Sequence, residues 1–330
     1  MLSAAVVGLG QAGSRFDEEP RPVIWSHAGA YLAAADRYRL AGGADISAEN
    51  RQCFIARCPE VTVFADGADM AAELKPDVIS ICTPPAGRAD LVERILAAHR
   101  PKALICEKPL ELDSERRCRL TEACKRSGVP LLVNYNRRYA TIYRKTREAI
   151  VGGLLGKVTA ITVSAPNRLW SVGSHAVNLL LYLAGETPER WKALHLPGLD
   201  EGGEPAYDLL CRFSSGAAGR VLTTGFREMA MFEADVIGRD ARIQVRARGT
   251  IATLTPFEAS AQYLNYRVLG DEEVLHRTDE TESTFEILVN EAADVAEGRA
   301  RPSSTGEDAL LSEEFLTAIT AKRGTGEGNI

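Results

Sequence analysis

Ser3-Ala-Ala-Val-Val-Gly-Leu-Gly-Gln-Ala-Gly13 is the stretch on which the fold is read. An apolar run over residues 4–7 passes at once into Gly8-x-Gly10-x-x-Gly13, the order a buried parallel strand needs to turn sharply into a helix whose first amides face a phosphate. Gly8 permits the tight turn, Gly10 admits a pyrophosphate where a Cβ would obstruct it, and Gly13 lets helix pack on strand. With Gln11 and Ala12 these glycines form the expected phosphate-binding set. Glycine triplets also occur in ordinary loops, so the reading rests on context: an apolar strand before the loop and strand–helix alternation after it.

The 330 residues, 45% hydrophobic and 25% charged, suffice for two domains with real cores. A net charge of -6 argues against a nucleic-acid or anionic-membrane partner. No apolar run approaches a membrane span, and Met1-Leu-Ser-Ala-Ala lacks the basic segment of a signal peptide, so a cytoplasmic protein is expected. Seven scattered cysteines, several inside apolar runs, show no metal-ligand spacing; they read as small buried hydrophobes, and no metal is expected.

After Gly13, Asp17-Glu-Glu-Pro-Arg-Pro22 is polar and broken by proline, so the helix is interrupted and resumes near Ser26. A carboxylate that grips the adenosine ribose is expected about 20 residues beyond the last glycine, at the end of the second strand. Asp36 fits the literal count but closes a helix. Asp45 follows the apolar stretch 40–44 and is late by about the length of the insertion, so Asp45 is the choice. The other reading of Asp45 is a turn aspartate capping a helix that starts near Ser47. No arginine follows Asp45 directly, and an acid repels a 2′-phosphate, which favours NAD while leaving NADP possible.

Residues 61–64, 77–82, 103–106 and 130–133 read as further short apolar strands, separated by helices over 70–74, 91–98 and 114–125. With the first two strands they form a doubly wound parallel sheet covered on both faces, a Rossmann domain over residues 1–138. The carboxyl ends of its strands face the ligand. Three of those ends carry chemistry: Thr83-Pro84-Pro85, Glu107-Lys108-Pro109, and the run from Asn134 through Asn136 to Arg137 and Arg138. In the second of these a lysine immediately past a buried strand is aimed at an oxygen bound beside the nicotinamide, unless Glu107 and Lys108 form only a solvated loop pair.

The glycine loop, Thr83-Pro84, Glu107-Lys108-Pro109, the 134–138 run and Gly173-x-His175 together resemble the Gfo/Idh/MocA oxidoreductase family, named for glucose-fructose oxidoreductase and inositol dehydrogenase, over essentially the whole chain. The resemblance implies that Lys108 contacts both nicotinamide ribose and the reacting hydroxyl, and that the Lys108–Pro109 bond is cis. It also implies that Thr83, Pro84 and Glu107 border the cofactor.

From residue 139 onward, helix 142–151 leads into strands at 157–163, 207–213, 219–224, 233–237, 242–247, 250–254 and 262–269, an α+β domain with an open, mainly antiparallel sheet. Helices over 285–296 and 308–321 follow, and residues 324–328 read as a frayed tail. The resemblance implies homo-dimers or homo-tetramers assembled through this sheet. If Ser174 caps a helix, His175, Asn178, Leu179 and Tyr182 share one face, and the dipole favours a neutral His175 that serves as a base. Family members commonly carry aspartates where this chain has Ser171 and Asn178, which can orient the imidazole but supply no charge, so either the substrate needs less help or another residue compensates. The family often has histidine where this chain has Arg88, which reads as the solvated face of a helix or as a partner for a substrate anion. His27 reads as a helix-capping residue.

The expectation is an NAD-dependent dehydrogenase or reductase for a secondary hydroxyl of a sugar, cyclitol or derivative, with Lys108 and His175 catalytic. Asn134, Arg138, Ser171 and Asn178 are expected on the substrate beside them. An NAD-dependent glycoside hydrolase with retained cofactor and a non-catalytic NAD-binding sensor are the alternatives.

Overall fold

The computed structural model describes every residue except 20–21, 167–168, 201–203, 225–230, 280, 322–325 and 329–330, and for 326–328 the backbone alone. Its first elements are β1 (Leu2–Val7), α1 (His27–Ala33), β2 (Tyr38–Ala44), α2 (Ala48–Arg57), β3 (Thr62–Phe64), α3 (Gly67–Leu74), β4 (Val78–Ile81), α4 (Arg88–Ala98), β5 (Ala103–Cys106), α5 (Ser114–Arg126) and β6 (Leu131–Val133). There follow α6 (Thr141–Val151), β7 (Val158–Ala165), α7 (Ser174–Ala184), β8 (Pro188–His195), β9 (Tyr207–Phe213), β10 (Ala218–Thr223), β11 (Glu233–Gly238), β12 (Ala241–Arg246) and β13 (Ile251–Ala259). The last are β14 (Arg267–Leu269), β15 (Glu273–Arg277), α8 (Thr284–Ala296), α9 (Gly306–Ala321) and β16 (Gly326–Gly328). None of the described helices is long and apolar enough to cross a membrane.

The chain divides into two units, Met1–Tyr139 with Thr281–Leu311, and Ala140–Glu280 with Ser312–Ile330. The sequence places 281–311 in the second region; in the structure that stretch lies with the first.

In the first unit six strands form a parallel sheet in the order β3-β2-β1-β4-β5-β6, the doubly wound order in which each half of a dinucleotide meets one half of the sheet. Period-2 alternation divides the strands between two cores. Val7, Ile79, Ile81, Leu104 and Val133 pack with Met70, Val92, Ile95 and Leu120 of α3, α4 and α5. Val6, Val78, Ile105 and Leu132 pack with Tyr31 of α1, Phe54 of α2 and Leu288, Val289 and Ala292 of α8. Hydrogen bonds hold α8 in place as well: Tyr38 Oη donates to the Val289 carbonyl at 2.7 Å, and Arg37 Nη2 to Asp294 Oδ1 at 2.7 Å.

In the second unit the sheet order is β14-β13-β12-β11-β7-β10-β9-β8-β16, with β15 paired to β13. It is antiparallel except where β10 runs parallel to β7. Ile161, Val163, Val221, Val236 and Ile243 turn inward, and α7 covers β7 and β10. Strand β8 has no counterpart in the sequence reading, because Glu189, Arg190 and Lys192 on its exposed positions mask the buried Pro188, Trp191 and Ala193. The expected fraying of 324–328 is corrected over its described part: residues 326–328 pair antiparallel with β8, Gly326 opposite Ala193, while 324–325 lie outside the described residues.

Phe315 of α9 is fully buried with its ring 5.6 Å from that of Trp191, edge to face. Phe315→Ala is expected to cost about 3–5 kcal/mol of stability in urea unfolding followed by tryptophan fluorescence. An unchanged midpoint would show that this contact does not hold the sheet.

Candidate functional site

At the carboxyl end of β1 the glycine loop has the shape a dinucleotide requires. Gly8 adopts φ +89°, and a Cβ there would lie 2.6 Å from the Thr83 amide nitrogen. A Cβ on Gly13 would lie 1.9 Å from the Gly8 carbonyl oxygen, whereas one on Gly10 would meet nothing within 4 Å. Gly8 and Gly13 are thus required by the fold, and Gly10 leaves open space on the outer side. Among the described contacts the amides of Gln11, Ala12 and Gly13 donate to no protein acceptor, while Ser14 N and Phe16 N close a turn on the carbonyls of Gly10 and Gln11. Such orphan donors at a helical start suit a phosphate. These residues fit the diphosphate of a nicotinamide dinucleotide.

The insertion then returns to α1 through Asp17, whose carboxylate accepts from Trp25 N at 2.8 Å and Ser26 Oγ at 2.5 Å; residues 20–21 of the proline-broken run lie outside the described residues. Ser26 caps α1, accepting from Gly29 N. Asp45, just past β2, accepts from Leu9 N at 2.7 Å and Asn50 Nδ2 at 3.0 Å on Oδ2, and from Ser47 N at 2.8 Å on Oδ1. Ser47, not Asp45, caps α2. A carboxylate has about four acceptor positions, so Oδ1 keeps one for a ribose hydroxyl.

The ends of β4, β5 and β6 are bound together by two charges, one buried and one half-buried. Arg88, expected on a solvated helix face or against a substrate anion, is 1% exposed. Its guanidinium donates to the carbonyls of Thr83, Glu107 and Pro109, and at 3.4 Å to that of Leu110. It therefore grips the backbone on both sides of Lys108, and the expectation is corrected: four carbonyls left over by the strand ends draw the cation inward. The second charge is Glu107, whose Oε1 accepts from His27 Nε2 at 3.0 Å and Asn134 Nδ2 at 2.6 Å. Burial pushes the Glu107 carboxyl upward, but the hydrogen bond and charge of His27, the amide of Asn134 and the Lys108 ammonium outweigh it and hold Glu107 below its ordinary value. Because an ionised carboxylate only accepts, it sets the proton of His27 on Nε2 and turns the Asn134 amide nitrogen towards itself. His27 is fully buried, so it is more than the capping residue expected; the insertion hides it by displacing it from the glycine loop. Lys108 is half-buried beside this pair, and the Lys108–Pro109 bond is cis, the form the resemblance implies.

Arg138 was expected on a substrate. The structure turns it into the fold, 6% exposed, with Nη1 donating to Asp308 Oδ1 at 3.1 Å and to the Ser303 carbonyl at 3.3 Å.

In the second unit a π-helical turn, Leu169–Gly173, runs directly into α7. The expected Ser174 cap is absent: Ser174 is already helical, and its Oγ donates to the Ser171 carbonyl at 3.0 Å. His175 consequently lies a turn deeper than an open helix start, where the dipole effect expected of it has declined. His175 is 9% exposed and Asn178 1%, with Asn178 Nδ2 donating to Ser312 Oγ at 2.8 Å. The Ser171 amide donates to Glu204 Oε2 at 3.2 Å.

Gly10→Ala is expected to leave the unfolding midpoint unchanged or slightly raised and to weaken NADH, titrated by fluorescence, by about tenfold or more; equal affinity would remove the diphosphate from Gly10. Glu107 gives a pH test. A carboxyl whose folded pKa is depressed contributes stability that is complete above its unfolded value of about 4.3 and disappears as pH falls through the folded one. Glu107→Gln keeps one oxygen for both donors, so the advantage of the wild type over this variant in urea unfolding should shrink on acidification below about 4.3. A difference independent of pH would mean that Glu107 is not an ionised partner.

Residues 2–135 match the model of an oxidoreductase family with an NAD-binding Rossmann fold, Gfo/Idh/MocA. The inositol 2-dehydrogenase of Rhizobium meliloti strain 1021 is 29% identical over 204 residues, which are 57% of this chain and 59% of that enzyme. The chain thus spans about three fifths of that relative's length. The myo-inositol 2-dehydrogenase of Thermotoga maritima is 25% identical over 284 residues, 79% of this chain and 80% of its own. Among solved structures, the WlbA dehydrogenase of Bordetella pertussis in complex with NADH and UDP-GlcNAcA is 20% identical, with a TM-score of 0.76 over 97% of this chain and 95% of that one, a likeness of fold. Residues 2–135 thus carry the NAD-binding Rossmann fold of the Gfo/Idh/MocA oxidoreductases.

Proposed function

We propose that this protein is an NAD-dependent dehydrogenase or reductase that interconverts a secondary hydroxyl and a ketone on a sugar, cyclitol or sugar derivative. The observation that carries the reading is Lys108: half-buried at the end of β5, flanked by carbonyls that Arg88 holds and next to an ionised Glu107. A lysine there, beside a carboxylate, is placed to present its ammonium to an oxygen. The two relatives named above are inositol dehydrogenases, which supports a polyol or sugar as substrate class.

The nicotinamide ring, when bound, supplies the hydride acceptor or donor. In the oxidation direction Lys108 Nζ hydrogen-bonds the reacting oxygen and stabilises the negative charge that grows on it. The imidazole of His175 takes the hydroxyl proton, without a carboxylate at Ser171 or Asn178 to stabilise the cation it becomes. Such a base works best on a hydroxyl whose proton leaves easily.

Lys108→Ala is expected to abolish turnover on a polyol and sugar panel while NADH affinity stays within about threefold, a difference under 1 kcal/mol. Loss of nucleotide binding and turnover together would make Lys108 structural.

A further inference from the structure

His175 acts as a base only by becoming a cation. When it takes a proton its ring gains one positive charge while only 9% of the residue is exposed, and a buried cation without a counter-charge is costly. Along the π turn and α7 the polar side chains before and after it are neutral: Ser171 and Ser174 on one side, Asn178 with its partner Ser312 on the other. Glu313, which follows Ser312 and is also buried, stands about 100° round α9 from the residue that meets Asn178.

A carboxylate reaches this turn from another element. Glu204, in the connection between β8 and β9, is half-buried, and its Oε2 accepts from Ser171 N at 3.2 Å. One residue on, the Pro205 carbonyl accepts from Leu169 N at 3.3 Å, so the connection is strapped to the π turn at two points. The stem of the connection is closed separately. Leu196 N donates to the Ala206 carbonyl at 2.9 Å and Ala206 N to Asp200 Oδ1 at 2.9 Å, while His195 Nε2 lies 3.0 Å from both oxygens of the Asp200 carboxylate. Pro205 also restricts Glu204 to extended backbone. The carboxylate is therefore held in place from both sides. Ser171 precedes His175 by four residues, about one helical turn, and Glu204 Oε1 makes no hydrogen bond among the described residues. At that separation a unit charge in a partly desolvated site changes the free energy of an imidazolium enough to alter a rate by about tenfold or more.

We propose that Glu204 is the counter-charge of His175: a positioning residue that, without touching the substrate, stabilises the imidazolium formed when His175 takes the hydroxyl proton. The proposal rests on His175 being the base of the polyol or sugar reaction. It does not depend on Lys108.

The test is steady-state turnover of the full chain with saturating NAD and a polyol that the wild type oxidises, beside NADH titration by fluorescence and urea unfolding. Glu204→Gln keeps an oxygen for the Ser171 amide and removes the charge. Its kcat should fall roughly 10- to 100-fold, with KM and the NADH dissociation constant within about threefold and the unfolding midpoint unchanged. A charge returned from the turn itself should restore the rate. Ser171→Asp in the Glu204→Gln background is expected to recover most of the lost kcat, and Ser171→Asn, alike in shape and uncharged, to recover none. Wild-type kcat in Glu204→Gln would overturn the proposal and leave the dehydrogenase reading intact. So would a fall in kcat accompanied by a lower midpoint, or equal rates in the two double variants, either of which makes Glu204 a strap for the turn. Should Ser171→Asp itself lower the midpoint, the split between kcat and KM in Glu204→Gln decides. No turnover of any polyol or sugar by the wild type, in either direction, would overturn both readings.

Discussion

Arg88 carries a full positive charge where almost no water reaches it. A guanidinium does not shed its proton, and moving one out of water costs several kcal/mol even after the protein relaxes. The backbone supplies the compensation, because strands that stop abruptly leave carbonyls with no partner in the sheet. Those of Thr83, Glu107, Pro109 and Leu110 converge on this one group. The ends of β4 and β5 are thereby fixed relative to each other without any side-chain partner that variation could remove. Glu107 extends the same logic with the opposite sign, and its charge places a proton on His27 Nε2 and sets the orientation of Asn134. Lys108 sits between these two commitments, which makes its position a consequence of electrostatics that the rest of the unit has to satisfy.

What could be read in advance divides along physical lines. The glycine loop was legible because its demands are local: a positive φ at Gly8 and a steric limit at Gly13 depend on residues a few positions away. The strand ends with Thr83, Glu107 and Asn134 were legible because buried parallel strands announce themselves as apolar runs. Arg88 was not, since an arginine opening a helix looks solvated until carbonyls about 20 residues later fold over it. His27 was hidden by the insertion, which separates it from the loop with which it packs. Strand β8 was hidden by charged outer positions, and the pairing of the tail with β8 depends on a partner more than a hundred residues away. In each case the missing information was long-range.

The second unit shows how a local motif can be placed correctly and described wrongly. Serine before histidine suggests a cap, and the structure keeps the helix but starts it earlier, through a π turn that uses the Ser171 carbonyl to hold Ser174. Asn178 and Ser171 are both engaged in hydrogen bonds, Asn178 with the neutral Ser312 hydroxyl and the Ser171 amide with the Glu204 carboxylate. These contacts tie down the surroundings of His175, and the second brings a carboxylate to the backbone at Ser171.

The placement of α8 bears on how the chain comes to be folded during synthesis. The apolar face of the parallel sheet formed by Val6, Val78, Ile105 and Leu132 is closed in part by Leu288, Val289 and Ala292, which follow it by more than 150 residues. A ribosome that has released only the nucleotide-binding strands has therefore exposed a sheet with one side incompletely covered, and the whole intervening unit must emerge before the missing helix arrives. The nascent protein spends that interval with a sticky surface, so timing of translation and chaperone attendance matter more for this chain than for one whose Rossmann domain is contiguous.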